Sequence, residues 1–321
     1  MLVATRSVVE GVVDGTVVES VGQADPCAGP SMESEPTTLG AVGVVLHPRR
    51  DNAQAVECIA AWAARHGIRL LGVSQELDRL RDLAEAVEPE QLASEVDLLV
   101  SLGGDGTMLR ALRMVHGRKV PVLGVNLGRL GFLAEVDVPD LAAALEAIVR
   151  GEHRVEARVS VTATLDGQAS TAYNDVVLAR RPGQGMAAVA LWVEGKPFVR
   201  YSADAIIVST PTGSTAYNFS AGGPIVSPRA QGLLVTPVAP HSSFNRSLFL
   251  SCSEPLALEV LTGSGVLAVE VDGEVRADVQ PGDIMRLGVD LDGGQVVRFA
   301  GSSFYDRARR KLRVTDSAEL G

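Results

Sequence analysis

Two short segments carry the residue types that phosphate chemistry needs: Gly103-Gly-Asp-Gly-Thr107 and, far downstream, Ser209-Thr-Pro-Thr-Gly-Ser-Thr-Ala-Tyr217. Glycines at 103, 104 and 106 lack Cβ atoms, so the backbone there can approach an anion and offer its N–H groups. The turn follows an apolar run, Val96–Leu102, and precedes a helical stretch, so Gly103, Gly104, Gly106 and Thr107 fall at a helix N-terminus, where negative charge is favoured. Asp105 is the one carboxylate in the turn. It is a proton acceptor, a metal ligand or a helix cap. Arg110 lies in the first part of the helix, where a guanidinium either meets a phosphate or stays in solvent.

The downstream segment is rich in small hydroxyls (Thr210, Thr212, Ser214, Thr215) and closes on Tyr217, with Pro211 and Gly213 fixing its course. Such a loop suits a flat polar ligand, although turn formation alone also explains its composition. Two further places fit the same ligand. Asn174-Asp175 is either a turn or an amide and a carboxylate offered to ribose hydroxyls. Asp204 is either a strand-end charge or an acceptor for a ligand N–H. Asn126-Leu-Gly-Arg-Leu-Gly-Phe-Leu133 again brings glycines to a strand end, with Phe132 as a core anchor or a surface for a ring.

Other chemistries lack their residues. The chain has no G-x-x-x-x-G-K-[ST], no HExxH and no G-x-S-x-G, and no G-x-G-x-x-G opens its first strand–helix unit. Cys27, Cys58 and Cys252 are isolated and odd in number, which suggests a reducing compartment and no structural zinc. The net charge of -10 argues against a nucleic-acid surface. No apolar run reaches the length of a membrane span, and no signal-peptide pattern opens the chain, so a cytoplasmic protein is expected.

The elements that must position these groups fall into three stretches. Residues 1–39 read as a variable tail, with a valine-rich hairpin in Met1–Val21 and a Pro- and Ser-punctuated linker over Gln23–Thr38. Residues 40–150 alternate strand and helix: strands at Ala41–Leu46, Ile68–Val73, Val96–Leu102 and Val120–Val125, helices at Asn52–Arg65, Glu76–Val87, Met108–Val115 and Leu141–Val149. That pattern specifies an α/β domain with a parallel sheet. From 151 to 299 the period becomes two, Asp166-Gly167 supplies a hairpin turn, and a mainly antiparallel β domain is expected. Phe304–Leu312 reads as a closing helix.

On these residues the chain resembles the NAD kinase family over positions 40–313. The Gly-Gly-Asp-Gly turn is shared with lipid and diacylglycerol-type kinases. The specific signal is Thr210-Pro-Thr-Gly-Ser-Thr-Ala-Tyr217 with Ser220-Ala-Gly-Gly-Pro224. The resemblance implies an α/β N-terminal domain, a sandwich-like β domain, and a C-terminal helix (300–313) returning to the first. It implies phosphoryl transfer from ATP, or polyphosphate, to the 2′-hydroxyl of the adenosine ribose of NAD, with a divalent metal such as Mg2+. Asp105 would be the base, and Gly103, Gly104, Gly106 and Thr107 would form the ATP phosphate site. Asp105, Gly106, Arg110, Phe132, Asn174, Asp175, Asp204, Thr212, Thr215, Ala216, Tyr217, Asn218, Phe219, Ser220 and Glu274 would contact NAD. A homo-oligomer, dimer or tetramer, is implied as well.

Four positions depart from the family pattern: Asp175 where Glu is usual, Ala205 for Gly, Ser202 for a basic residue, and Glu274 for Gln. All lie on the acceptor side. The alternatives are a related kinase acting on another nucleoside or nucleotide acceptor, or on a lipid, which the hydroxyl-rich loop argues against, and a catalytically silent nucleotide-binding regulator; a silent protein has no chemical need for Asp105.

Overall fold

The computed structural model describes residues 10–13, 16–19, 38–80, 82–128, 131–242, 244–301 and 303–313. By contacts the chain divides into two units, Met1–Met32 and Glu33–Gly321. In the first, β1 (Glu10–Val13) and β2 (Thr16–Glu19) pair antiparallel, giving the hairpin expected there. The linker expected at Gln23–Thr38 lies outside the described residues, apart from its last position.

The larger unit opens with β3 (Ala41–Leu46), α1 (Ala53–His66) and β4 (Arg69–Val73). A short helix α2 (Leu77–Leu80), β5 (Glu85–Val87) and α3 (Pro89–Glu95) follow. Then come β6 (Leu98–Gly103), α4 (Asp105–Met114), β7 (Pro121–Asn126), β8 (Val136–Asp137) and α5 (Leu141–Val149). One expectation fails here. The helix read over Glu76–Val87 stops after a single turn, because Asp82 takes a left-handed φ of 58° that ends helical geometry. The residues beyond it form β5, which pairs parallel with β4 at the sheet edge.

Strands then dominate: β9 (Arg154–Leu165), β10 (Gln168–Ala172), β11 (Asp175–Arg180), β12 (Ala187–Val193), β13 (Lys196–Ala203) and β14 (Ala205–Ser209). After the one-turn helix α6 (Tyr217–Ser220) come β15 (Gly232–Val238), β16 (Leu248–Ser251), β17 (Leu256–Val260), β18 (Leu267–Val271), β19 (Glu274–Val279) and β20 (Ile284–Arg298). The chain closes on α7 (Phe304–Leu312).

Strands β5, β4, β3, β6 and β7 are parallel neighbours in that order. Their central members β3 and β6 are buried throughout, as expected for strands with helices on both faces. The long β20 continues the same sheet. It pairs parallel with β7 through Gln295 and Val296, and antiparallel with β9 and β17. A second, six-stranded antiparallel sheet runs β16-β15-β14-β11-β18-β19. A single apolar core, including Val176, Leu178, Ile206 and Val208 from this sheet and Val189, Leu191, Leu258 and Met285 from the first, joins the two. The architecture is thus an α/β region with a parallel sheet followed by antiparallel β, as the sequence pattern requires.

The site's place follows from strand order. From β3 the chain steps to β4 on one side and to β6 on the other, so the order reverses between β3 and β6. Open α/β sheets bind ligands outside the carboxyl ends of strands at such a point. The end of β6 is Gly103.

Candidate active site

Asp105 is the first residue of α4, with Gly104 in the N-cap position. Its carboxylate does not cap its own helix. Oδ2 accepts from the Phe132 amide at 3.1 Å and Oδ1 from the Leu133 amide at 3.0 Å. Both amides belong to the glycine-punctuated loop after β7. Gly131 makes the approach possible, since a Cβ there would lie 2.2 Å from Asp105 Oδ1. A third donor comes from the far end of the chain: Lys311 Nζ, on α7, is 3.1 Å from Asp105 Oδ2. The same ammonium sits 4.4 Å from the centre of the Phe132 ring, which packs against Phe304 of α7. Phe132 is therefore buried beside the Asp105–Lys311 pair.

The turn glycines differ in purpose. A Cβ on Gly103 would strike Thr107 Oγ1 at 2.1 Å, so this glycine serves helix packing. Cβ atoms on Gly104 and Gly106 would meet no described atom within 4 Å. Neither residue has a positive φ, so neither conformation nor protein neighbours demand glycine there. Their bare backbone leaves room for an outside group, and the α4 N-terminus favours an anionic one. A cavity of about 260 Å³ lies at the α1 end of the same strands, lined by Asp51, Asn52, Gln54, Asn126 and Asp137. Asn52 Oδ1, in a side chain only 4% exposed, has no hydrogen-bond partner among the described residues. Arg110 points elsewhere: its Nη2 bonds the Leu46 carbonyl at 2.7 Å and pairs closely with Glu76.

Around the Asn174-Asp175 turn, Asp272 is the organiser. Its side chain is fully buried, and its Oδ1 takes the amides of Tyr173 (3.1 Å), Asn174 (2.7 Å) and Asp175 (3.3 Å). Oδ2 receives Arg113 Nη1 of α4 at 2.8 Å. One carboxylate thereby ties the Asn174-Asp175 turn to the helix that begins with Asp105. The turn in turn holds the hydroxyl-rich loop: Thr210 donates its amide to the Asn174 carbonyl at 2.8 Å, and its Oγ1 to the Tyr173 carbonyl at 2.6 Å. Gly213 seats the loop, since a Cβ there would lie 2.0 Å from the Asn174 oxygen.

Within that loop Thr212 Oγ1 is buried without a hydrogen-bond partner among the described residues, while Tyr217 and Phe219 are about two-fifths exposed. Thr215, Ala216 and Ser220 share this stretch; among the described residues the Thr215 hydroxyl makes a long 3.5 Å bond to the Thr212 carbonyl. Asn218 is wholly buried, donating to the carbonyls of Ser214 and Pro224 and accepting from Thr236, so its amide shapes the loop. Burial, then the charges of Asp272 and Glu270, push Asp175 up to about 7, opposed by a bond from the Tyr217 amide. Burial, then Glu270, Asp175 and Asp204, raise the Tyr217 phenol. These carboxylates gather around one tyrosine, a setting that suits hydroxyl and amine donors. Asp204 pairs with Arg180 at 2.5 Å, and Glu274 with Arg113 and Arg276.

Residues 42–153 match the ATP-NAD kinase N-terminal domain, and residues 173–290 the ATP-NAD kinase C-terminal domain. The chain belongs to the NAD kinase family. It is 36% identical to NAD kinase 1 of Streptomyces avermitilis, covering 87% of this chain and 89% of that one. With the NAD kinase of Heliobacterium modesticaldum it shares 38% identity over 85% of this chain and 98% of the relative. Among solved structures, the NAD kinase of Archaeoglobus fulgidus in complex with ATP aligns with a TM-score of 0.67 at 25% identity, covering 86% of this chain and all of that one. Yeast NADH kinase complexed with NADH aligns at 0.80 and 23% identity, covering 88% and 90%, and bears on the fold alone.

Sequence reasoning within this family frame named Asp105, Phe132, Asn174, Asp175 and the loop. It passed over Gly131, Arg113, Asp272 as an organiser, and Lys311. Gly131 stood in the quoted segment 126–133, and Lys311 in the helix read only as closing the chain.

Proposed function

We propose that this chain phosphorylates NAD at the expense of ATP, with Asp105 as the base that takes the proton of the adenosine-ribose 2′-hydroxyl. The observation that carries this reading is the Asp105 carboxylate, 28% exposed and fixed by two loop amides, between Gly104 and Gly106, whose missing Cβ atoms would face open space. A base held in one orientation contributes by geometry first. Gly104, Gly106 and the α4 N-terminus receive the ATP phosphates. Asn174, Asp175, Asp204, Phe132 and the 212–220 loop receive the dinucleotide. In the transfer, the 2′-oxygen bonds to the γ-phosphorus, the bond from phosphorus to the β–γ bridging oxygen breaks, ADP departs, and the hydroxyl proton goes to Asp105.

Among the described residues no group of three or more His, Cys, Asp or Glu side chains is placed to hold a metal ion. That fits Mg2+, which is usually bound by one or two carboxylates plus phosphate oxygens and waters. The ion would be held chiefly by the ATP phosphate oxygens and waters, and would neutralise charge on the phosphates. A second copy of the chain is expected to cover Tyr217, Phe219 and Ile225, large apolar side chains left exposed within nine positions of one another. A cytoplasmic setting is supported by the free thiols of Cys58 and Cys252.

The test is turnover with ATP and magnesium, offering NAD, NADH and adenosine separately and identifying products by mass. Asp105→Asn keeps the size of the side chain and removes the proton acceptor. Turnover should fall by about 10²–10⁴, with NAD binding kept within about tenfold. Near-normal turnover would remove Asp105 from the role of base.

A further inference from the structure

Three donors converge on Asp105, and one of them is a full positive charge. The Phe132 and Leu133 amides are fixed by backbone geometry. Lys311 is not. It stands in the last turn of α7, half-open to solvent, on a side chain with four rotatable bonds. Its helix, by contrast, is firmly docked. Ser303 caps it by accepting the Asp306 amide at 3.0 Å, Phe304 packs on Phe132, and Arg307 donates to the buried Glu135 at 3.0 Å. An anchored helix thus brings a partly exposed ammonium on a long side chain to the glycine turn.

The chemistry of the turn says what that ammonium is for. Asp105 cannot both keep an ion pair with Lys311 and accept a proton, because a protonated carboxyl carries no charge to pair. At the moment of transfer the lysine charge loses its partner, while negative charge spreads over the oxygens of the phosphoryl group being moved. The N-terminus of α4 brings those oxygens to the first residues after Gly104, and Asp105 is itself the first of them. An ammonium within hydrogen-bond distance of Asp105 is therefore within a side-chain rotation of the donor phosphates. The Phe132 ring, 4.4 Å away, keeps the cation at the site whichever anion it holds.

We infer that Lys311 is a phosphate-binding residue of the reaction: it pairs with Asp105 in the resting enzyme and passes to the transferred phosphoryl group of ATP when the donor binds. This rests on the kinase reading above. It also makes α7 a working part of the site, so the site is incomplete without the end of the chain.

The experiment compares the unaltered protein with Lys311→Met, which keeps the apolar stem over Phe132, and Lys311→Arg, which keeps the charge. Affinity for a magnesium complex of a non-hydrolysable ATP analogue and for NAD is measured by calorimetry, beside steady-state kinetics and melting temperature. Lys311→Met should lose about ten- to a hundredfold in ATP-analogue affinity and in kcat/KM for ATP, the scale of one hydrogen bond to a charged group. NAD affinity should stay within about threefold, melting should be unchanged, and Lys311→Arg should recover most of the loss. Equal losses for both substrates with a lowered melting temperature would overturn the assignment, leaving Lys311 only a helix anchor. A faster Lys311→Met enzyme would overturn it too, making the lysine a restraint on Asp105. Should the unaltered protein make no NADP, the kinase reading fails, and analogue binding still decides the role of Lys311.

Discussion

Gly131 and Asp105 fit each other so closely that neither position has freedom of its own: a methyl group on Gly131 would stand 2.2 Å from Asp105 Oδ1 and 2.8 Å from its carboxyl carbon. Glycine is needed there for approach, and no positive φ is involved. Gly131→Ala should push the carboxylate off the Phe132 and Leu133 amides while leaving both sheets intact. A displacement of about 1 Å in a reacting group costs on the order of 10²-fold in rate. Turnover should drop by that order with the circular dichroism spectrum and melting temperature little changed. An alanine variant with unimpaired kcat would show that the amides do not hold the working position of Asp105.

Asp272 supports the Asn174-Asp175 turn in a comparable way, through charge. Its buried carboxylate takes three backbone amides and Arg113, and it does so from a left-handed backbone conformation, φ 48°. Asparagine tolerates that conformation, so Asp272→Asn isolates the loss of charge. Breaking a buried pair costs about 3–5 kcal/mol; Arg113 retains some access to water, so about 3 kcal/mol is expected. Urea unfolding checks the stability, and the Michaelis constant for NAD should rise more than that for ATP. A stability change under about 1 kcal/mol would mean that a neutral amide serves the turn equally well.

The parts that could be read from the chain were those set by local pattern. Val96–Leu102 running into two glycines gave the strand and the turn, and the change of period after Gly151 gave the antiparallel half. Leu77, Leu80, Leu83, Ala84 and Val87 mimic a helical stripe, and only the backbone at Asp82 reveals that the helix has already ended. Partnerships across long separations had no local signature. The amides that fix Asp105 lie 27 and 28 positions away, and Lys311 lies 206 away. Arg110 was read for its nearness to the turn; its guanidinium in fact pairs with Glu76, which the Leu46 amide also holds, 34 positions away.

Glu135 joins the two ends of the α/β region. It is 1% exposed and accepts from Arg298 at 2.7 Å, from Arg307 at 3.0 Å and from the Phe299 amide at 3.0 Å. Arg158, buried nearby and pushed down to about 10 by burial and then by Arg298, adds to the positive charge that Glu135 and Glu156 must balance. Glu135→Gln should destabilise by about 3–5 kcal/mol, and hydrogen exchange in α7 should quicken before that of β6. Pairing it with Arg298→Met should recover part of the loss, because removing both charges removes the unpaired one. Uniform exchange across α7 and β6 would show that the helix is held by other contacts.

Asp175 makes stability depend on pH, and on the reading proposed above it makes NAD binding do so too. Burial, with Asp272 and Glu270 adding to it, pushes its carboxyl up to about 7, whereas in the unfolded chain it titrates near about 3.9. Between those values the folded protein holds a proton that the unfolded chain has released. The stability this adds is complete below pH of about 4 and is lost as pH rises through about 7. Asp175→Asn cannot titrate, so its urea midpoint should flatten across that window relative to the unaltered protein, the two curves diverging most where the native carboxyl ionises. The same step changes what Asp175 offers a ligand. Below pH 7 it presents a hydroxyl donor beside the Tyr217 amide; above it, a carboxylate able to accept from two ribose hydroxyls. The Michaelis constant for NAD should therefore fall between pH 6 and 8, on the order of the tenfold that one unit of ionisation permits, and should stay level in Asp175→Asn. Parallel pH profiles for the two proteins would place the titrating group elsewhere.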